Sequence, residues 1–147
     1  MSEHAPHDLR ELRRRVGDVS QLVSTRAARL GDGTEDGTRV IDARAAGGIS
    51  ALILADRGLD LGPVWAGGHQ VSWQSTTGAV HPAYYHAADW LRSFHGGMLL
   101  TCGLQNVGLP SEDEGVSHGL HGRISHIPAR NVTHRVVEEG GRLVAEV

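Results

Sequence analysis

Twenty glycines cut the 147 residues into short apolar runs, and that spacing restricts the fold more than any other feature. Gly-Gly pairs fall at 47–48, 67–68, 96–97 and 140–141. Short apolar segments bounded by such pairs call for many tight turns, which predicts an all-β fold. Residues 39–45 and 49–55 read as two strands joined through Gly47-Gly48, a hairpin with a Gly-containing loop. Residues 69–75 predict a short alternating strand, 98–104 a buried strand, and 120–127 a strand or a turn leading into one. A second hairpin is expected from 132–138 and 142–147 around a turn at 139–141. Residues 21–30 are mixed, and 31–37 form a turn region rich in Gly and Asp.

Only the N-terminus departs from this pattern. Residues 1–7 read as a disordered tip. Asp8 can cap a short helix with Leu9, Leu12 and Val16 on one face, and Gly17 ends it. The run Arg13 to Arg15 then lies on the solvated side. The expected organisation is a tip and short helix over 1–18, followed by one β domain over 19–147. The chain reaches Val147 inside an apparent strand, which predicts a fragment of a longer protein.

Bulk properties exclude several classes. A length of 147 residues suits one domain, and 39% hydrophobic with 21% charged residues suits a globular chain. A net charge of −3 gives no support to nucleic-acid binding. Cys102 is the only cysteine, so no disulfide framework can form within the chain. It lies in an apolar run and is expected to be buried and inert. No stretch approaches the roughly 20 apolar residues of a membrane span. The N-terminus lacks the apolar core of a signal peptide, so a cytoplasmic location is expected.

Chemistry-bearing side chains concentrate in residues 95–130, above all His118, His121, Arg123 and His126. On a strand, His121 and Arg123 would share a face. A histidine beside a fixed cation can act as a general acid toward a ring or carbonyl oxygen. With Glu112, Asp113 or Glu114, the three histidines could also supply a metal site, but H-x-x-H-x4-H matches no strong motif, and no metal is expected. The acidic loop lacks the calcium register of an EF-hand and reads as solvated. Upstream, Arg57 offers a planar fork of donors that Asp60 could hold in place; a structural Arg–Asp pair at a strand end is the plainer reading. His81 precedes Pro82, which fixes the local backbone. Trp65, Trp73, Tyr84, Tyr85 and Trp90 offer stacking surface for the CH face of a sugar, or serve as core. No dinucleotide fingerprint, P-loop or serine elbow is present.

The segments DRGLDLG, TGAVHPAYY, WLRSFHGGMLLTCGLQNVG and GLHGRISHIPAR together resemble the DUF4432 family of the galactose mutarotase-like (aldose 1-epimerase-like) superfamily, over about residues 9–134. The resemblance implies an antiparallel β-sandwich, a supersandwich, with carbohydrate bound in a groove, and it makes this chain an N-terminal portion. It matches His121-Gly122 to a histidine that helps bind the sugar in related mutarotases, and Arg57 and Arg123 to positions typical of the family. His121 is therefore the expected catalytic-site histidine, with Arg57, Asp60, His81, Tyr84, His118 and Arg123 as expected substrate contacts. The implied reaction interconverts sugar anomers without a cofactor, through acid and base groups further along a longer chain. Glu138 and Glu139 lie at a hairpin turn and are not expected to be the base. The expected partner is a small sugar, with no nucleic acid and no membrane. Two alternatives stand beside this: a sugar-binding or sensing module without turnover, and a metal-dependent sugar isomerase using the histidine cluster.

Overall fold

A computed structural model describes residues 9–147. Helix α1, Leu9–Arg15, buries Leu9 and carries Arg13, Arg14 and Arg15 in its last turn, where cations favour the helix dipole. The expected cap Asp8 and the tip at 1–7 lie outside the described residues. A 3-10 turn at Val19–Gln21 follows, closed by a capping box in which the Asp18 side chain accepts from the Ser20 amide.

The main sheet is an antiparallel meander of five strands: β1 (Val23–Arg29), β2 (Arg39–Ala45), β3 (Ile49–Leu54), β4 (Asp60–Ala66) and β5 (His69–Gln70). The two strands predicted around Gly47-Gly48 form as expected, paired with Ile41 opposite Ile53. The mixed segment 21–30 resolves into β1, paired along its whole length with β2. The register of β3 against β4 shifts between Ala51 and Ile53, which marks a bulge. Val40, Ile41, Ile53, Leu54, Ala55 and Val64 are buried and make most of the core. Each of the Val, Leu and Ile side chains contributes roughly 1.5–3 kcal/mol when removed from water. Val40 and Ile41 are consecutive on β2, so both faces of that strand are covered.

The remaining strands are short. β6 (Trp73–Gln74) pairs with β7 (Gly96–Gly97), β8 (Ser111–Asp113) with β9 (Val116–His118), and β10 (Arg135–Glu139) with β11 (Arg142–Glu146). The β10–β11 hairpin packs against β1 and β2, and His134 just before it hydrogen-bonds Thr25 at 3.1 Å. Arg13 of α1 reaches Glu138 on the same hairpin at 3.0 Å. The fold is mostly β and antiparallel, as the glycine spacing predicts, with one short α-helix among the described residues. No helix among the described residues is long and apolar enough to cross a membrane.

Four expectations need correction. Residues 98–104 are not a buried strand. Two isolated bridges, Leu99 to Leu61 and Gly103 to Asn106, replace a ladder, while Met98, Leu99 and Leu104 are exposed, and the left-handed backbone at Gly103 and Leu104 breaks any extended run. Cys102 is consequently exposed rather than buried. Residues 120–127 are not a strand either. They turn at His121 and enter a 3-10 turn, Ile124–His126, with Arg123 at its N-cap. The expected strand at 69–75 splits into β5 and β6, which join different sheets.

Candidate functional site

The loop from β3 to β4 carries Asp56 and Arg57, and Asp60 opens β4. Arg57 is wholly buried. Its guanidinium donates to three backbone carbonyls from three separate segments: Ser125 through Nε, Val80 through Nη1 at 2.8 Å, and Ser93 through Nη2 at 2.8 Å. Gly58 makes this approach possible. It sits at φ +64, and a Cβ there would lie 2.8 Å from the Ile124 carbonyl oxygen. Burial lowers the Arg57 pKa to about 10, against the opposing pull of Asp60.

His126 lies in the same knot, its Nε2 3.2 Å from Arg57 Nη2 and 2.6 Å from Ser93 Oγ. An arginine nitrogen can only donate, so Nε2 accepts and the proton of the neutral ring belongs on Nδ1, 3.2 Å from Ser125 Oγ. Tyr85 stacks on the ring with centroids 4.1 Å apart. Burial first, then the charge of Arg57 and then His95, pushes the His126 pKa down to about 3. The ring is neutral at physiological pH.

Asp60 does not hold the Arg57 fork, contrary to expectation. Its buried carboxylate accepts from His95 Nε2 at 3.1 Å and from the Thr101 amide at 2.6 Å. Asp56 is taken by Arg39, which also reaches the Ala129 carbonyl. The Arg57 position is thus built by long-range backbone contacts that spacing alone does not reveal.

His121 belongs to a different setting. Its backbone lies at φ +54, a left-handed conformation that costs an L-residue about 1 kcal/mol. Its ring is half-buried, and Nδ1 accepts from the Gly108 amide at 3.1 Å. Trp90 packs against it, tilted, with centroids 5.0 Å apart, and itself stacks on Phe94 at 5.2 Å. Arg123 is exposed and, with Gly103, Leu104, Gln105, Ile124 and Ile127, lines a cavity of about 230 Å³. A second cavity of about 320 Å³ is lined by Trp90, Leu91, Leu109, Pro110, Gly119 and Leu120. Because His121 and Arg123 lie on a turn, their spacing does not put them on one strand face as expected.

The other expected contacts scatter. His118 ends β9, half-buried, with Nδ1 lacking a hydrogen-bond partner. His81 caps the 3-10 turn Pro82–Tyr84 by accepting from the Ala83 amide at 3.1 Å. Tyr84 is exposed, and its neighbour Tyr85 makes the ring contact instead. Among the described residues no three His, Cys, Asp or Glu side chains converge as a metal site would require. Sequence reasoning missed Ser93 and the His95–Asp60 pair.

Comparison with known proteins fits this architecture. None of the curated proteins matches the chain. A crystal structure from Klebsiella pneumoniae subsp. pneumoniae MGH 78578, provisionally named an aldose 1-epimerase, superposes with a TM-score of 0.71 at 22% identity. The alignment covers 88% of this chain and 35% of that one, so the chain spans about a third of that protein's length. At this identity the likeness establishes the galactose mutarotase-like fold. Residues 35–147 match the family described as "Domain of unknown function (DUF4432)", and the chain belongs to that family.

Proposed function

We propose that the chain carries part of a carbohydrate site of the aldose 1-epimerase kind, with His121 as a sugar contact. The observation that carries this reading is the His121 ring itself. With Nδ1 accepting from the Gly108 amide, the neutral ring holds its proton on Nε2 and offers a hydrogen-bond donor there. An aromatic surface, Trp90, lies on one side, and Arg123, which forms no ion pair among the described residues, follows two residues later. A donor, an aromatic surface and a guanidinium suit a polyhydroxylated ring with an apolar CH face. In the reaction class concerned, one group protonates the ring oxygen while another removes the anomeric proton, the ring opens, and closure on the other face gives the second anomer.

A sugar-binding module without turnover is the second reading. It is favoured by the absence, among the described residues, of a carboxylate bonded to His121: Glu138 pairs with Arg13, and Asp60 with His95. Calorimetry with a panel of aldoses, beside polarimetry or saturation-transfer NMR, separates the readings. Binding with faster anomer exchange supports the epimerase, and binding alone supports the module. The absence of both with every sugar would sink the carbohydrate reading. Full sugar affinity in His121→Ala would sink the assignment of His121.

A further inference from the structure

We infer that Asn106 is a positioning residue that sets the tautomer of His121. The consequence for a ligand rests on the reading of His121 as a sugar contact; the structural claim does not.

Four hydrogen bonds lace loop 103–108 to loop 119–122. The Gly103 amide donates to the His121 carbonyl at 3.4 Å, and the His121 amide to the Gly108 carbonyl at 2.9 Å. The Gly108 amide donates to His121 Nδ1 at 3.1 Å. The fourth is the shortest, and it alone joins a side chain of the first loop to the second: Asn106 Nδ2 donates to the Gly119 carbonyl at 2.6 Å. Only the amide nitrogen can serve there, because a carbonyl accepts and does not donate, so the contact fixes the orientation of the Asn106 side chain.

The backbone around this contact needs holding. His121 at φ +54 and Gly122 at φ +69 are consecutive left-handed residues, a geometry that chain preference alone does not maintain. Gly122 lies close under Asn106: a Cβ added there would be 3.2 Å from both the backbone and side-chain oxygens of Asn106. Within its own loop, Asn106 also bridges Gly103. It therefore ties together the two loops whose spacing decides whether the Gly108 N–H meets His121 Nδ1. While that bond is made, the neutral imidazole keeps its proton on Nε2. The group facing Nε2 must then be an oxygen acceptor such as a hydroxyl, ring or carbonyl oxygen. Once the loops part, only the modest intrinsic preference of a free imidazole for Nε2–H remains, and both tautomers are populated.

The test is long-range proton–nitrogen correlation NMR on the 147-residue chain with ¹⁵N-histidine. It is run without sugar, at a pH where imidazole is neutral. The expected wild-type signature of His121 is a single Nε2–H tautomer. In Asn106→Ala the two ring-nitrogen resonances of His121 should move toward each other as the tautomers mix, while those of His126 stay in place and report an intact fold. Asn106→Asp, nearly the same shape but unable to donate to Gly119, should do the same; it carries the test should the alanine variant unfold. A folded Asn106→Asp variant that keeps the pure Nε2–H signature would overturn the inference, as would a wild-type His121 protonated on Nδ1. The expected shift in a protein that binds no sugar would uphold the inference while removing the carbohydrate reading.

Discussion

Two histidine–arginine settings lie close in sequence and differ in kind. In the Arg57 knot, His126 and the guanidinium are buried, and every polar group finds a partner: three carbonyls, two serine hydroxyls and a stacked tyrosine. At the His121 turn the ring is half-buried, one nitrogen is held by a backbone amide, and Arg123 is exposed. Residue type does not separate the two; the source of the partners does. A guanidinium saturated by backbone carbonyls holds segments together and has little left for a ligand. A ring fixed at one nitrogen is oriented and still has chemistry to offer. Arg57 is best understood as a brace, although the family resemblance alone pointed to a substrate contact.

The largest expected effect falls on the brace. Arg57→Met removes the donors from the Ser125, Val80 and Ser93 carbonyls and leaves them buried without partners. A loss on the order of 3–5 kcal/mol follows from breaking such a network. Arg57→Lys should recover little, since an ammonium cannot span three carbonyls with the geometry of a planar fork. Urea denaturation followed by circular dichroism checks this. A change below about 1 kcal/mol in Arg57→Met would erase the distinction between brace and site.

The knot should also give the fold an acid limit. The folded His126 pKa is depressed to about 3, whereas an unfolded histidine titrates near 6.5. Between those values the unfolded chain holds a proton that the folded chain refuses, so unfolding is favoured progressively as pH falls. The contribution is intact above about 6.5 and is lost on descending to about 3, at up to about 1.4 kcal/mol per unit. Denaturation midpoints measured across that range should fall toward acid. His126→Phe, which retains the stack on Tyr85 but cannot titrate, should flatten the slope. An unchanged slope in that variant would assign the acid sensitivity to other groups.

These effects also show what the sequence could disclose. Hairpins form where Gly47-Gly48 and the glycines at 140–141 separate apolar runs, because turn and pairing are local. Strand reasoning failed over 98–104 and 120–127. Over 98–104 hydrophobicity suggested burial, and over 120–127 the choice lay between a strand and a turn; the backbone turns left-handed at Leu104 and at His121. The brace was beyond reach altogether: its acceptors lie 23, 36 and 68 residues away, and backbone carbonyls leave no mark in residue type. The cluster at His118, His121 and His126 was visible as composition, but the division into a buried ring and an available one depends on those same long-range contacts.

The smallest stability effects should accompany the largest losses of binding. His121→Ala removes a half-buried ring and its bond from Gly108, which should cost about 1 kcal/mol. Arg123→Ala should stay within about 0.5 kcal/mol of wild type, because the side chain is exposed. If the His121 side of the molecule meets a sugar, both variants should keep the fold and weaken affinity, roughly tenfold or more at His121, where a donor would be lost from a hydroxyl or ring oxygen. Calorimetry on proteins first shown to have wild-type denaturation midpoints reads this directly. The opposite pattern, with affinity lost only in Arg57 variants that remain folded, would mean that the brace touches the ligand after all. The two settings would then have to be regarded as one site.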